Sequence, residues 1–132
     1  MLLKDLAKQN HDYIIDRRRF YHRHPELSRE EVETTKSIIK DLKAMGIEKV
    51  ETFANGAQGC VGYIQGSKPG KTVMLRADID ALPVKEATGL EFASENPGCM
   101  HACGHDNHIA MQLGAAKILQ SIKDKFSGTV KV

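Results

Sequence analysis

An excess of charge of either sign is missing from this chain. Lys and Arg total 19 against 17 Asp and Glu, and the resulting net charge of +2 is too small to point to a nucleic-acid or polyanion partner. The basic run Arg17-Arg18-Arg19, with Arg23, reads instead as the solvated face of a helix. A long apolar run is missing too. Met1-Leu-Leu-Lys-Asp breaks into charge at once, so the sequence predicts neither a signal-peptide core nor a membrane span. Cysteine is scarce and odd in number: the 3 present fit poorly with a disulfide framework, and with no export signal they predict reduced thiols in the cytoplasm. Internal repeats and low-complexity segments are absent.

What is there suits one domain. The 132 residues, 41% hydrophobic and 27% charged, can bury a moderate core but not two large ones. Leu2, Leu3, Leu6, Tyr13, Ile14, Phe20 and Tyr21 recur at helical spacing and predict an amphipathic helix over roughly residues 2–23, ended by Pro25. Ser28-Arg-Glu-Glu31 has the form of a capping box for a second helix, which carries Val32, Ile38, Ile39, Leu42 and Met45 and closes at Gly46. His22 and His24 flank this turn; a His-x-His pair can bind metal, but beside a capping box it reads as a solvated helix end.

Beyond Gly46 the pattern turns to short strands: Val50 to Ala54, the turn Asn55-Gly56, then Cys60 to Gln65. Cys60 reads as a buried core thiol, and Gly66-Ser-Lys-Pro-Gly70 as another turn. Gly56, Gly59 and Gly62 have the spacing of a phosphate loop, but no helix pattern follows them. Thr72-Val-Met-Leu-Arg-Ala77 is the best candidate for a central strand, and it runs into Asp78-Ile-Asp80. Carboxylates beyond the end of a strand in an α/β sheet are well placed for chemistry, or serve as turn and cap residues. Residues 84 to 106 lack periodicity, and a loop of that length is usually functional. Helical spacing resumes at Asn107 with Ile109, Leu113, Ala116, Leu119 and Phe126, Gly128 breaks it, and Thr129 to Val132 begins another strand. There the chain stops with neither a turn nor a polar tail, as if cut. Helices, then strands, then helix and strand predict an α/β or α+β layered domain.

Chemistry concentrates in Cys99-Met-His-Ala-Cys-Gly-His-Asp-Asn-His108, which holds two of the three cysteines and three of the six histidines. Thiolate and imidazole are preferred ligands of zinc-like metals. Cys99, His101, Cys103 and His105 alternate, so an extended segment would put all four on one face, but about 6.6 Å apart at successive positions. Two ligands of one metal lie at most about 4.6 Å apart, which argues against a closed zinc finger. Gly104 lets the backbone turn, so Cys103 and His105 can converge, just before a helix N-terminus that favours the thiolate. Asp106 reads as the N-cap, His108 as an edge or supporting donor, and Cys99 and His101 as pocket lining. A thiol redox pair, Cys99 with Cys103, is an alternative. Two ligands do not make a catalyst: a third, an open water position and a general base are needed, and Asp78 and Asp80 could supply only part of this.

Four blocks, Arg19-Phe-Tyr-His-Arg-His-Pro-Glu26, Leu75-Arg-Ala-Asp-Ile-Asp-Ala-Leu-Pro83, Met100-His-Ala-Cys-Gly-His-Asp106 and Leu113-Gly-Ala-Ala116, give the chain its resemblance. In order and spacing it resembles the N-terminal part of the aminoacylase-like dinuclear metallopeptidases. The branch is that of hippurate hydrolases, N-acyl-amino-acid amidohydrolases and auxin-conjugate hydrolases. The resemblance implies a zinc-peptidase-like α/β catalytic domain, a mixed sheet flanked by helices, of which residues 1–132 are an incomplete part. It implies two divalent metals per full-length site (Mn, Zn, Co or Ni), with Cys103 and His105 as two ligands, Asp78 as an active-site aspartate and Arg76 where related branches have a histidine ligand. It implies hydrolysis of the amide bond of small N-acyl amino acids. The family's Glu-Glu pair, its further histidine ligands and its lid or dimerisation domain lie beyond the last strand seen here. The expectation is therefore a fragment inactive by itself, with any homodimer formed through the absent domain. A non-enzymatic metal-binding or structural domain is the other reading.

Overall fold

The computed structural model describes residues 2–132. Helix α1 (Leu3–Gln9) leads into α2 (His11–Arg23), and α3 (Val32–Ala44) follows. Strands β1 (Val50–Glu51), β2 (Val61–Gln65) and β3 (Lys68–Met74) come next. A long irregular segment then precedes α4 (His105–Ser121), a short 3-10 turn at Lys123–Lys125 and strand β4 (Ser127–Lys131). The sheet order is β1-β2-β4-β3, with β2 antiparallel to β1 and β4, and β3 parallel to β4. The fold is thus a mixed α/β layer structure, as the sequence predicts. The parallel pair is joined by the segment through α4, the kind of long crossover such pairing requires.

Helices and sheet share one core. Tyr21 of α2, Ile38 and Leu42 of α3, Ile64 of β2, and Ile109, Leu113 and Ala116 of α4 pack together with Ile47 and Val132. Helices α2 and α4 approach closely at Gly114, where a Cβ would sit 2.6 Å from the Ile14 side chain. The Leu113-Gly-Ala-Ala116 block is therefore a helix-packing face.

Several local readings change. The first helix is interrupted at Asn10, whose side-chain amide donates to the Leu6 carbonyl at 2.8 Å and competes with the helical ladder. The capping box does not form. Arg29, at φ 72°, turns the chain between Ser28 and Glu31, and no side chain of the N-cap residue Glu31 caps α3. Glu26 does so from outside, accepting from the backbone N–H groups of Glu33 (3.2 Å) and Thr34 (2.6 Å). At the other end Gly46, at φ 85°, closes α3 as expected. Its N–H donates to Lys43, and that of Ile47 to Leu42, the pattern of a Schellman motif.

The strand expected at the centre is an edge. All seven residues of β3 are exposed, and β4 takes the central place between β2 and β3. The apolar Val73 and Met74 lie uncovered, so apolarity alone misplaces this strand. Lys68-Pro-Gly70 belongs to β3 rather than to a turn. Helix α4 ends at Ser121, before Phe126. Gly128 lies inside β4 at φ 89°, where a Cβ would meet the Lys71 carbonyl oxygen at 2.0 Å. Cys60 is half-buried against the core rather than sealed in it, and burial pushes its thiol up to about 11.

Candidate metal centre

Beyond β3 the chain runs without regular secondary structure through Asp78 and Asp80 and is stitched to its neighbours. Gln112 of α4 donates to the Leu75 carbonyl at 2.8 Å, Ala81 N–H to Glu26 at 2.8 Å, and Leu82 and Met100 exchange backbone hydrogen bonds of 2.9 and 3.0 Å. These ties bring the Asp78–Asp80 segment beside the start of α4. That start is set by Gly104, whose φ of 118° is costly for any side-chain-bearing residue. The helix consequently begins at His105, two residues earlier than the periodicity predicts.

His105 is held by one ring nitrogen. Its Nδ1 lies 2.9 Å from both the Asp80 Oδ1 and the Asp80 carbonyl oxygen. A nitrogen facing two acceptors must carry the proton, which leaves the lone pair on Nε2. Nε2 is 4.0 Å from Asp78 Oδ2, and Asp78 in turn accepts from Arg76 Nη2 at 2.7 Å. An imidazole anchored by a carboxylate through one nitrogen is the usual setting of a metal-ligating histidine. Cys103, across Gly104, is an exposed free thiol. Asp78, Asp80 and His105 are thus brought together, with Cys103 one residue from His105 in the chain. Among the described residues no three His, Cys, Asp or Glu side chains converge as a complete metal cage.

The flanking residues depart from expectation. Asp106 is not the N-cap, which is Gly104; it lies within the helix and is fully buried. Arg18 Nε donates to it at 2.9 Å, and His22 Nδ1 lies 2.8 Å from the same oxygen. His22 is therefore no solvated helix end: it is 2% exposed, with Nε2 3.0 Å from Glu86. Burial works to raise the Glu86 carboxyl, but hydrogen bonds from the Thr88 hydroxyl, the Ser94 N–H and His22 outweigh it and hold the group below its usual range. His24 remains partly exposed, 3.7 Å from Glu95.

Cys99 and His101 are buried rather than lining an open pocket. Burial, then the charges of Glu26 and Glu30, raises the Cys99 thiol. His101 has no hydrogen-bond partner at either ring nitrogen, and burial pushes it down to about 4, so it sits neutral. All three cysteines are free. A cavity of about 590 Å³ opens beside the site, walled by Ile38, Leu42, Leu113, Val132 and the 74–80 segment. Asp78 and Asp80 stand where cavity and metal-ligand candidates meet.

Arg18, His22 and Glu86 were not foreseen as a group. The sequence does carry half a signal, since Arg18 and His22 are four apart on one helix face; Glu86 has none.

Residues 74–132 match the model of Peptidase family M20/M25/M40. The chain is 50% identical over 130 residues to thermostable carboxypeptidase 1 of Saccharolobus solfataricus, covering 98% of this chain and 33% of that protein. It is 40% identical over 129 residues to the N-acyl-L-amino acid amidohydrolase of Geobacillus stearothermophilus, covering 98% of this chain and 34% of that protein. Among solved structures it superposes on the Bacillus subtilis YxeP protein, described as a dinuclear metal binding peptidase from the M20 family. The TM-score is 0.88 at 44% identity, over 94% of this chain and 35% of that one. The chain spans about a third of the length of these relatives.

Proposed function

We propose that the chain belongs with the M20 peptidases and amidohydrolases it resembles, and that it forms the N-terminal part of a metal-dependent amide hydrolase. In this reading Cys103 and His105 are ligands to a divalent metal pair. The observation that carries it is the bond from His105 Nδ1 to Asp80, which frees Nε2 as a ligand one glycine away from an exposed thiol. The donors fit: thiolate and neutral imidazole suit Zn or Co, and the carboxylates beside them also admit Mn or Ni. A divalent cation bound there would polarise the amide carbonyl and ease deprotonation of the attacking water.

The chain's own residues then divide the work. Asp80 holds the proton on Nδ1 and fixes the ring. Arg76 holds Asp78, so a carboxylate stays close to the ligating nitrogen, where we assign it the active-site role. The general base and remaining ligands come from the part of the relatives that this chain does not span, and residues 1–132 alone do not turn over substrate. A lid or dimerisation domain belongs to that same part.

The names of the relatives narrow the substrate. A carboxypeptidase and an N-acyl amino acid amidohydrolase both release an amino acid bearing a free carboxylate from an amide bond. We assign small N-acyl amino acids, hippurate among them, as the substrate class. A site that depends on an exposed free thiol suits the reducing cytoplasm. Among the described residues no third donor converges with Cys103 and His105, which is what the alternative, a metal-binding or structural domain without catalysis, expects.

Titration of the purified chain with Co²⁺ tests the ligand assignment. We expect a thiolate-to-cobalt charge-transfer band that disappears in Cys103→Ser and weakens by more than about tenfold in affinity in His105→Ala. A band that survives Cys103→Ser rules the assignment out.

A further inference from the structure

The irregular segment between β3 and α4 carries Cys99, His101 and Cys103, and a single buried imidazole, His22, lies between Glu86 within it and Asp106 just beyond it. Near its start, Glu86 lies 3.0 and 3.1 Å from His22 Nε2 through its two oxygens. At its end, Asp106, adjacent to His105, lies 2.8 Å from His22 Nδ1. The side chains of His22, Glu86 and Asp106 are 3%, 5% and 1% exposed, so water cannot replace these bonds. The ring thus sets one nitrogen against each of two buried carboxylates and bridges them. Phe92, from the middle of the segment, closes over the group, edge-on to His22 at 5.5 Å between ring centroids and beneath the Arg18 guanidinium at 4.9 Å. The segment is also tied by the backbone pair Leu82–Met100, by Ala81 N–H to the Glu26 carbonyl, by Glu95 N–H to the Arg23 carbonyl and by the Asn96 side-chain amide to the Pro25 carbonyl, but none of these joins Glu86 to the start of α4.

We propose that His22 is a positioning residue for the metal ligands. By clamping Glu86 and Asp106 from opposite sides, it sets the distance between the two ends of the segment and so the placement of Cys103 against His105. Resting on the ligand assignment above, this gives a role to the Arg19–Glu26 block that the site chemistry leaves unused. Removing the imidazole loosens the segment without touching a ligand. Glutamine at position 22 presents one amide nitrogen and reaches only one of the two carboxylates.

The test compares Co²⁺ affinity, read from the thiolate-to-cobalt band, in the unsubstituted chain, in His22→Gln and in Ile47→Ala, a core substitution outside the clamp and the cavity wall. Far-UV circular dichroism and thermal midpoints match the two variants for loss of stability. We expect His22→Gln to bind Co²⁺ at least about tenfold more weakly while Ile47→Ala binds as the unsubstituted chain does. Equal affinity in His22→Gln, or an equal loss in Ile47→Ala, overturns the proposal. If His22→Gln does not fold, Glu86→Gln removes one half of the clamp and is judged by the same comparison. No band in the unsubstituted chain sinks the ligand assignment itself, and the clamp's metal role with it.

Discussion

In the proposed assignment, His105 draws its value as a ligand from Asp80. The neutral imidazole has two tautomers of similar energy in water, and only one presents Nε2 outward. With Asp80 offering two acceptor oxygens at 2.9 Å, that tautomer is fixed before any ligand arrives. Replacing Asp80 with alanine should therefore weaken Co²⁺ binding by about 10–100-fold while leaving the thiolate band's position unchanged. Undiminished affinity in Asp80→Ala would show that the ring is held some other way. At this scale the sequence was legible where the reason is local. Gly104 makes the left-handed turn expected between Cys103 and His105. It was illegible where partners come from afar: Arg18 meets Asp106 across 88 positions, and no local pattern distinguishes such a buried aspartate from an N-cap.

Among the elements, α3 shows how one misread residue shifts the physics. The Ser28 hydroxyl caps nothing in α3, whereas Glu26 accepts from two N–H groups of its first turn. Glu26→Ala should cost about 1–2 kcal/mol and Ser28→Ala less than about 0.5 kcal/mol, both measured by urea unfolding. The reverse order would restore the capping box. Helices α2 and α3 are also joined by Asp41, which accepts from Tyr21 at 2.8 Å and sits 3.4 Å from Arg17.

Burial, then the Asp41 charge, raises Tyr13 to about 12 and pushes Tyr21 higher still. Both phenols stay protonated in the fold at a pH where the unfolded chain, near the ordinary value of 10.0, ionises. The stability they confer is thus fully present below about pH 10 and is lost as pH rises through the folded values. Urea midpoints should fall between about pH 10 and 12, and fall less in Tyr21→Phe; equal slopes in both chains would remove the phenol from the explanation. Element existence was legible from periodicity and from Gly46 and Asn55-Gly56. The place of β3 was not, because an apolar run reads the same at a sheet's centre and at an uncovered edge.

Taken whole, the chain superposes on about a third of an M20 peptidase structure, and the proposed site lies at its surface. The 590 Å³ cavity, the bare β3 edge and the Asp78–His105 junction adjoin one another through the 74–80 segment. Strand order could not be read from the sequence, since β4 reaches its central place only after the α4 crossover. The α/β class and the ordered motif blocks could. The most direct test joins residues 1–132 to the remaining two thirds of the Geobacillus stearothermophilus amidohydrolase and measures amino acid release from N-acyl amino acids. Release should be abolished by chelation, restored by Zn²⁺, Co²⁺ or Mn²⁺, and reduced at least about 100-fold by Cys103→Ser. A folded chimera that releases nothing with any of these metals, or that keeps full activity in Cys103→Ser, would contradict the assignment.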